Sequence, residues 1–309
     1  PGRPTRSEIE TGTDAAMALV QGLGVLGTYE PARVGVQRQR RLVRAHLDRT
    51  RIATPTFHVA QASHRELLQP AVGLLARTRR LSAEHLGELG SPVTVLENAD
   101  PSASHIHQLV AAALERVRHV REGLELAPPA PSVPTARPSS SADAIYRELL
   151  VAGRQLDVLL AESLQPSDTQ GEIAFALSRV VAMLGDAPAL PPSPRTGAKT
   201  PEDVHALLLD AFAVARRAGA RLGVPMLDVR PLPPGEAGPI TAADVYDTAT
   251  LLVTEVVRMH ERSGAGLAAV AASPSPNDSH ADVFRTAARL HARLGQLERR
   301  RAASPAAPR

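Results

Sequence analysis

The chain has 309 residues, 43% of them hydrophobic, and a mean hydropathy of −0.10; that length allows about two domains with packed cores and the composition excludes wholesale disorder. Its isoelectric point is near 9.9 although the formal net charge is only +3, because 34 of the 35 basic residues (35 − 1, Lys199 being the one lysine) are arginines of very high pKa; net charge is the better guide to partners. No cysteine is present, which excludes disulfides, thiolate nucleophiles, iron–sulfur clusters and cysteine-type zinc sites.

Aromatic residues make up 2% of the chain and there is no Trp. Strands draw on Tyr, Phe, Trp, Ile and Thr, whereas Ala, Leu, Arg and Glu serve helices well, so the composition leans helical. The 27 prolines then belong between elements. The chain starts at Pro1, which we read as a processed or trimmed start. With its Pro/Ala/Ser-rich connections it leads us to expect a periplasmic or secreted protein of a bacterial envelope rather than a cytoplasmic one. The low-charge stretch 15–29 is too short to span a bilayer.

In chain order, residues 1–12 read as a tail, 14–23 as a short helix and 32–49 as a basic helix. Gly22-Leu23-Gly24-Val25-Leu26-Gly27 has dinucleotide-binding spacing, with Asp48 where an acidic ribose ligand would stand. Pro31 interrupts any helix behind it and no second parallel strand follows, so a glycine-rich helix end is the reading adopted. Arg33, Arg38, Arg40, Arg41, Arg44, Arg49 and Arg51 are opposed only by Asp48. Arg38, Arg40, Arg41 and Arg44 are the candidate contacts to an anion, either nucleic acid or an acidic membrane surface. A solvated basic face is the plainer account, since the aromatic platforms of single-strand binders are missing. A longer helix is expected over 56–81, kinked at Pro70, followed by an extended loop at 92–96. Residues 13–125 form the expected N-terminal helical region.

Stretches 126–140, 186–199, 224–240 and 271–278 read as Pro/Ser/Gly-rich linkers, and the first is the expected domain boundary. Such segments favour extended backbone, so they can run back along a helix. Just past three of them one pattern recurs: Thr200-Pro201-Glu202-Asp203-Val204-His205, then Thr241 to Tyr246, then Ser279 to Phe284. The two threonines stand 41 residues apart (241 − 200) and the serine follows 38 later (279 − 241). Ser/Thr, two residues and Asp form a capping box; the hydroxyl satisfies an orphan N–H and the acid suits the positive helix end. Looser versions stand at 102–107 and 140–146. Behind each cap the apolar period is helical, as in Val204, Leu208, Phe212 and Ala215, or Val283, Ala287, Leu290 and Leu294. The spacing and the shared pattern point to internal repetition.

The expected fold is therefore all-α: amphipathic helices in a bundle or short helical-repeat array joined by Pro-rich loops. Its C-terminal domain spans 141–301 and a tail 302–309. No Gly-x-Ser-x-Gly, phosphate loop, Ser-x-x-Lys or paired-carboxylate cluster suggests catalysis. The eleven histidines include no His-x-x-x-His pair, and the single Glu-x-x-His, Glu202 to His205, has no second copy to complete a di-iron set. No catalytic residue, cofactor or metal is expected. The expected function is a non-enzymatic scaffold that binds a protein partner or itself. The alternatives are a small-ligand pocket between helices, lined by Tyr146, His205, Tyr246 and Phe284, and the anion contact through Arg38–Arg44.

Overall fold

The described residues form seven helices and one two-stranded sheet, and most of the helices begin with a hydroxyl cap and an acid in the first turn. In the computed structural model these residues are 55–88, 101–123, 141–160, 164–186, 188–190, 197–233, 238–266 and 274–302. The expected helices at 14–23 and 32–49, the Gly22–Gly27 motif, Arg38, Arg40, Arg41 and Arg44, the loop at 92–96, the linker at 126–140, the tail 1–12 and residues 303–309 lie outside them.

The elements are β1 (Phe57–Ala60), α1 (His64–Leu86), α2 (Ala103–Gly123), α3 (Ala142–Leu159), α4 (Pro166–Leu184), α5 (Pro201–Arg221), β2 (Asp228–Pro231), α6 (Ala242–Ser263) and α7 (His280–Ala302). Thr200 and Thr241 cap their helices as the sequence predicts. Each hydroxyl accepts from the N–H of the Asp three residues on, and that carboxylate accepts from the threonine N–H in return. Ser279 and Asp282 exchange the same two bonds at α7. Ser102 caps α2 through the N–H of His105. At α3 the cap is Ser141, which accepts from Ala144 N–H, one residue beyond the serine at 140 that the pattern suggested. The next residue inward is buried at every helix: Leu67, Ile106, Ile145, Thr169, Val204, Val245 and Val283. It starts the stripe on which that helix packs.

The region 56–81 is not one helix. Thr56-Phe57-His58-Val59 alternates apolar and polar residues, a period of two, and Phe57 and Val59 are buried while His58 is exposed. This piece forms β1, antiparallel to β2 with His58 opposite Arg230. Gln61 turns the chain at φ 69, and a Ser63–Glu66 capping box starts α1, which continues through Pro70. The stretch 224–240, expected to be linker, holds β2 and the buried Val224, Met226 and Leu227.

Two compact units emerge: one contains α1–α3, and the other contains Thr56–Ala60 with everything from Leu164 on. Helix α3 follows the 126–140 stretch yet packs on α1, so the units meet in sequence near Leu164. Helix α3 buries Ile145, Leu149 and Leu156, and a partly buried seam ties it to α1: Arg77 of α1 binds Asp157 of α3 through Nε and Nη2 and lies beside Gly73 and Gly153, where no side chain blocks it.

In the C-terminal unit each helix touches two others: α5 meets α7 and α6, and α4 meets α6 and α7. Thr286, near the start of α7, bonds Gln170, near the start of α4, while Arg300 reaches the Leu184 carbonyl at both helices' ends. Lys199 stands over the Phe284 ring at the start of α5 and α7, and Arg217 and Arg221 pair with Glu298 at their ends. Arg258, late in α6, bonds the carbonyl of Pro225, just past the end of α5. These contacts make the four helices run in one direction. The same holds for α1–α3, where Ala62 bonds Asp143 at the helix starts and Leu86 packs on Gly123 at the ends.

Parallel helices need long returns. Helix α5 has 21 residues, a rise of about 31 Å, which extended chain covers in about ten residues. The return after α5 lays Met226 against Gly219, Asp228 on Arg216 and Val229 near Phe212, running back along the helix. The return after α4 passes Arg300 and then Arg293 of α7 through the Asp186 and Pro188 carbonyls. Among the described residues no helix is long and apolar enough to cross a membrane.

Two substitutions probe this account in urea unfolding followed by circular dichroism. Asp203→Ala, at an exposed cap, is expected to cost about 1 kcal/mol. Leu208→Ala, at a fully buried stripe position, is expected to cost about 2–5 kcal/mol; equal losses would refute the ranking.

Candidate functional site

Aligned helices gather like charges at each end of the C-terminal unit. The first turns carry Asp168, Glu202, Asp203, Asp244 and Asp282, which suit the partial positive charge there. At the other end guanidiniums donate to carbonyls at and just past the helix ends. Arg221 donates to Glu298 O, Arg300 to Leu184 O and Asp186 O, and Arg258 to Pro225 O.

The most enclosed polar cluster sits at the acidic end. Asp244 is fully buried, yet its carboxylate accepts four hydrogen bonds. Oδ2 takes Thr241 N–H at 2.9 Å and Thr241 Oγ1 at 2.7 Å. Oδ1 takes Thr56 N–H at 3.1 Å and Thr56 Oγ1 at 3.0 Å. A cap carboxylate thus also holds the strand that leads into α1 of the N-terminal unit. A second buried acid, Glu255, accepts from Leu227 N–H at 3.3 Å and pairs with Arg258 at 2.9 Å, so it fixes the return after α5.

A groove of about 410 Å³, open to solvent, runs between α5 and β2. Phe212, Ala213, Ala220 and Val229 line its apolar part, and Arg216, Arg217 and Asp228 its polar part. Arg216 and Arg230 both bind Asp228, and Arg217 and Arg221 both bind Glu298, so four guanidiniums share two carboxylates on this face. The Arg230 hydrogen bond is the main reason the Asp228 carboxyl is held below the usual Asp range; burial opposes it and the Arg216 charge assists. Asp282 is lowered too, chiefly by the Ser279 hydroxyl bond. Glu172 on α4 is shifted the other way, because burial penalises its charged form. On the same helix Phe175 is 37% and Val181 42% exposed, and the Arg179 guanidinium lies 4.8 Å from the Phe175 ring centre.

Of the four residues expected to line one pocket, Tyr146 is buried in the N-terminal unit, and His205, Tyr246 and Phe284 belong to the C-terminal unit. Those three occupy the same position, one residue past the buried Val, so parallel helices bring them to one end. The His205 ring lies beside Phe57, tilted by 38° with centroids 6.3 Å apart, whereas Phe284 carries the Lys199 ammonium at 4.4 Å. None of the three lines the α5–β2 groove. Among the described residues no three His, Asp or Glu side chains group as a metal site.

Sequence reasoning missed Ser63 and Glu66, although Ser63-x-x-Glu66-Leu67 is the same capping signal. It missed the Thr56–Asp244 contact because those residues are 188 apart and no periodicity links them.

Two experiments follow. Thr56→Val removes the hydroxyl donor to Asp244 and is expected to cost about 1–3 kcal/mol in chemical unfolding, against no more than a few tenths for Thr250→Val, whose hydroxyl bonds only its own helix. Stability should also turn with pH in two opposed ways. Asp228 and Asp282 have lowered folded values, so their contribution is present above the ordinary Asp value of about 4 and is lost as pH falls through the folded values. Glu172 is raised, so its contribution is full below the ordinary Glu value and declines as pH rises through the folded one. Glu172→Gln should therefore stabilise the protein at neutral pH and change little in acid; destabilisation at neutral pH would contradict this. Comparison of the chain with protein-family models, with curated proteins and with solved structures gives no match.

Proposed function

We propose that this chain is a non-enzymatic helical scaffold that works by binding a protein partner or by associating with itself. The observation that carries the reading is what the buried carboxylates do. Four acids are buried among the described residues: Glu66, Asp157, Asp244 and Glu255. Glu66 accepts from Ser63 N–H, Asp157 holds Arg77 across two helices, Asp244 holds Thr241 and Thr56, and Glu255 holds Leu227 and Arg258. Each is engaged in starting a helix, joining two helices or fixing a return. Buried hydroxyls serve the same end, as Thr78 bonds the Leu75 carbonyl and Thr248 the Asp244 carbonyl. Polar groups used this way set the shape of a platform, which is what an interaction module requires.

We also read the recurring cap, helix and return as copies of one ancestral piece. Support comes from the N-caps Ser63, Ser102 and Ser141, each 39 residues from the next (102 − 63 and 141 − 102). That spacing is close to the 41 and 38 seen from Thr200 to Ser279. A stack of such units offers long helix faces to a partner.

The test is sedimentation of the purified chain from sub-micromolar to the highest soluble concentration, with cross-linking and mass spectrometry in the source cells. The expected result is a mass that rises with concentration or a specific cross-linked protein. A chain that stays monomeric throughout and cross-links to no protein would sink the scaffold reading.

A further inference from the structure

Strand β1 comes to the C-terminal unit from the far side of the sequence. It leads directly into α1 of the N-terminal unit, yet Thr56–Ala60 belongs with Leu164 onward. Its seat is well defined. The four β1 residues pair in register with Asp228–Pro231, and Leu232 N–H donates to the Thr56 carbonyl. Thr56 N–H and Oγ1 both reach Asp244, Phe57 lies against the His205 ring, and Phe57 and Val59 are buried. The seat therefore selects an extended segment with a hydroxyl residue first and apolar residues at alternate positions after it.

We propose that this seat accepts a strand in trans: the β1 of a second copy of this chain replaces the chain's own, so that two copies associate by exchanging Thr56–Ala60. The proposal names the route of the self-association put forward above and rests on that reading. Three observations carry it. First, the segment that fits the seat is Thr56-Phe57-His58-Val59-Ala60, which every copy brings, so an exchanged strand re-forms each contact of the closed form. Second, β1 joins α1 through only Gln61–Ser63, and Gln61 is the one non-glycine residue of positive φ among the described residues. A side chain there is strained, and the strain is released when the connection extends. Third, the acceptor stays organised without the donor strand, because Glu255 and Arg258 hold Pro225 and Leu227, and Thr241 holds the other oxygen of Asp244.

The absence of cysteine makes the experiment clean. His58 and Arg230 are both exposed and lie opposite each other across the ladder, at a separation that suits a disulfide. The full-length His58→Cys and Arg230→Cys variants, carrying different affinity tags, are mixed, incubated and oxidised. The double variant in one chain serves as the control for register. The expected result is a disulfide between the two tagged chains, several-fold above same-variant pairs, with an intrachain bridge in the double variant. An intrachain bridge without any mixed product overturns strand exchange. A double variant that forms no bridge overturns the seat itself. If the unmodified chain still gains mass with concentration while no mixed product forms, the scaffold reading survives and strand exchange alone falls.

Discussion

Helices laid side by side in one direction bring their positive ends together and their negative ends together, whereas an antiparallel bundle alternates them. Both units of this protein accept that arrangement, and much of the remaining chemistry answers it. An acid in the first turn stands at every helix of the C-terminal unit, and arginines at the opposite end donate to carbonyls at or just past the helix ends. In a parallel unit these caps offset repulsion between neighbours as well as orphan groups within each helix. Their recurrence thus has a physical cause that any of the helices would impose.

Parallel order also governs the connections. The chain must travel a helix length backward before it can start the next helix, and extended, proline-bearing segments do this at low conformational cost. Along α5 the return is extended enough to make a strand, and that strand needs a partner. The partner is β1, a segment that precedes α1–α3 in the sequence, and Thr56 just before it is bound by the cap of the helix that follows the return. Cap, return and strand are one connected structure centred on Asp244.

Much of this was legible in residues 200–205, 241–246 and 279–284, where the acid, hydroxyl and buried Val recur, and in the helical period behind them. The ring that follows was a poorer guide. His205 meets Phe57 and Phe284 meets Lys199, because the neighbours of that position come from β1 in one case and from the connection before α5 in the other, not from the repeated helix. The Ser63 cap was concealed by treating 56–81 as one helix. The alternation in Thr56–Ala60 is too short to stand out beside a strong helical period, and Gln61 is not a residue that announces a left-handed turn.

The sequence by itself determined where helices start and which face each one buries, because capping and amphipathic spacing act within a few residues. It also determined that the elements are almost all helical, through composition. Only the tertiary structure decided that the helices run parallel, that α3 belongs with α1, and that β1 completes a sheet after an intervening unit. Those choices rest on contacts such as Arg77–Asp157 and Thr56–Asp244, which lie 80 and 188 residues apart. Their energy exists only once the chain has folded, so no local pattern records it.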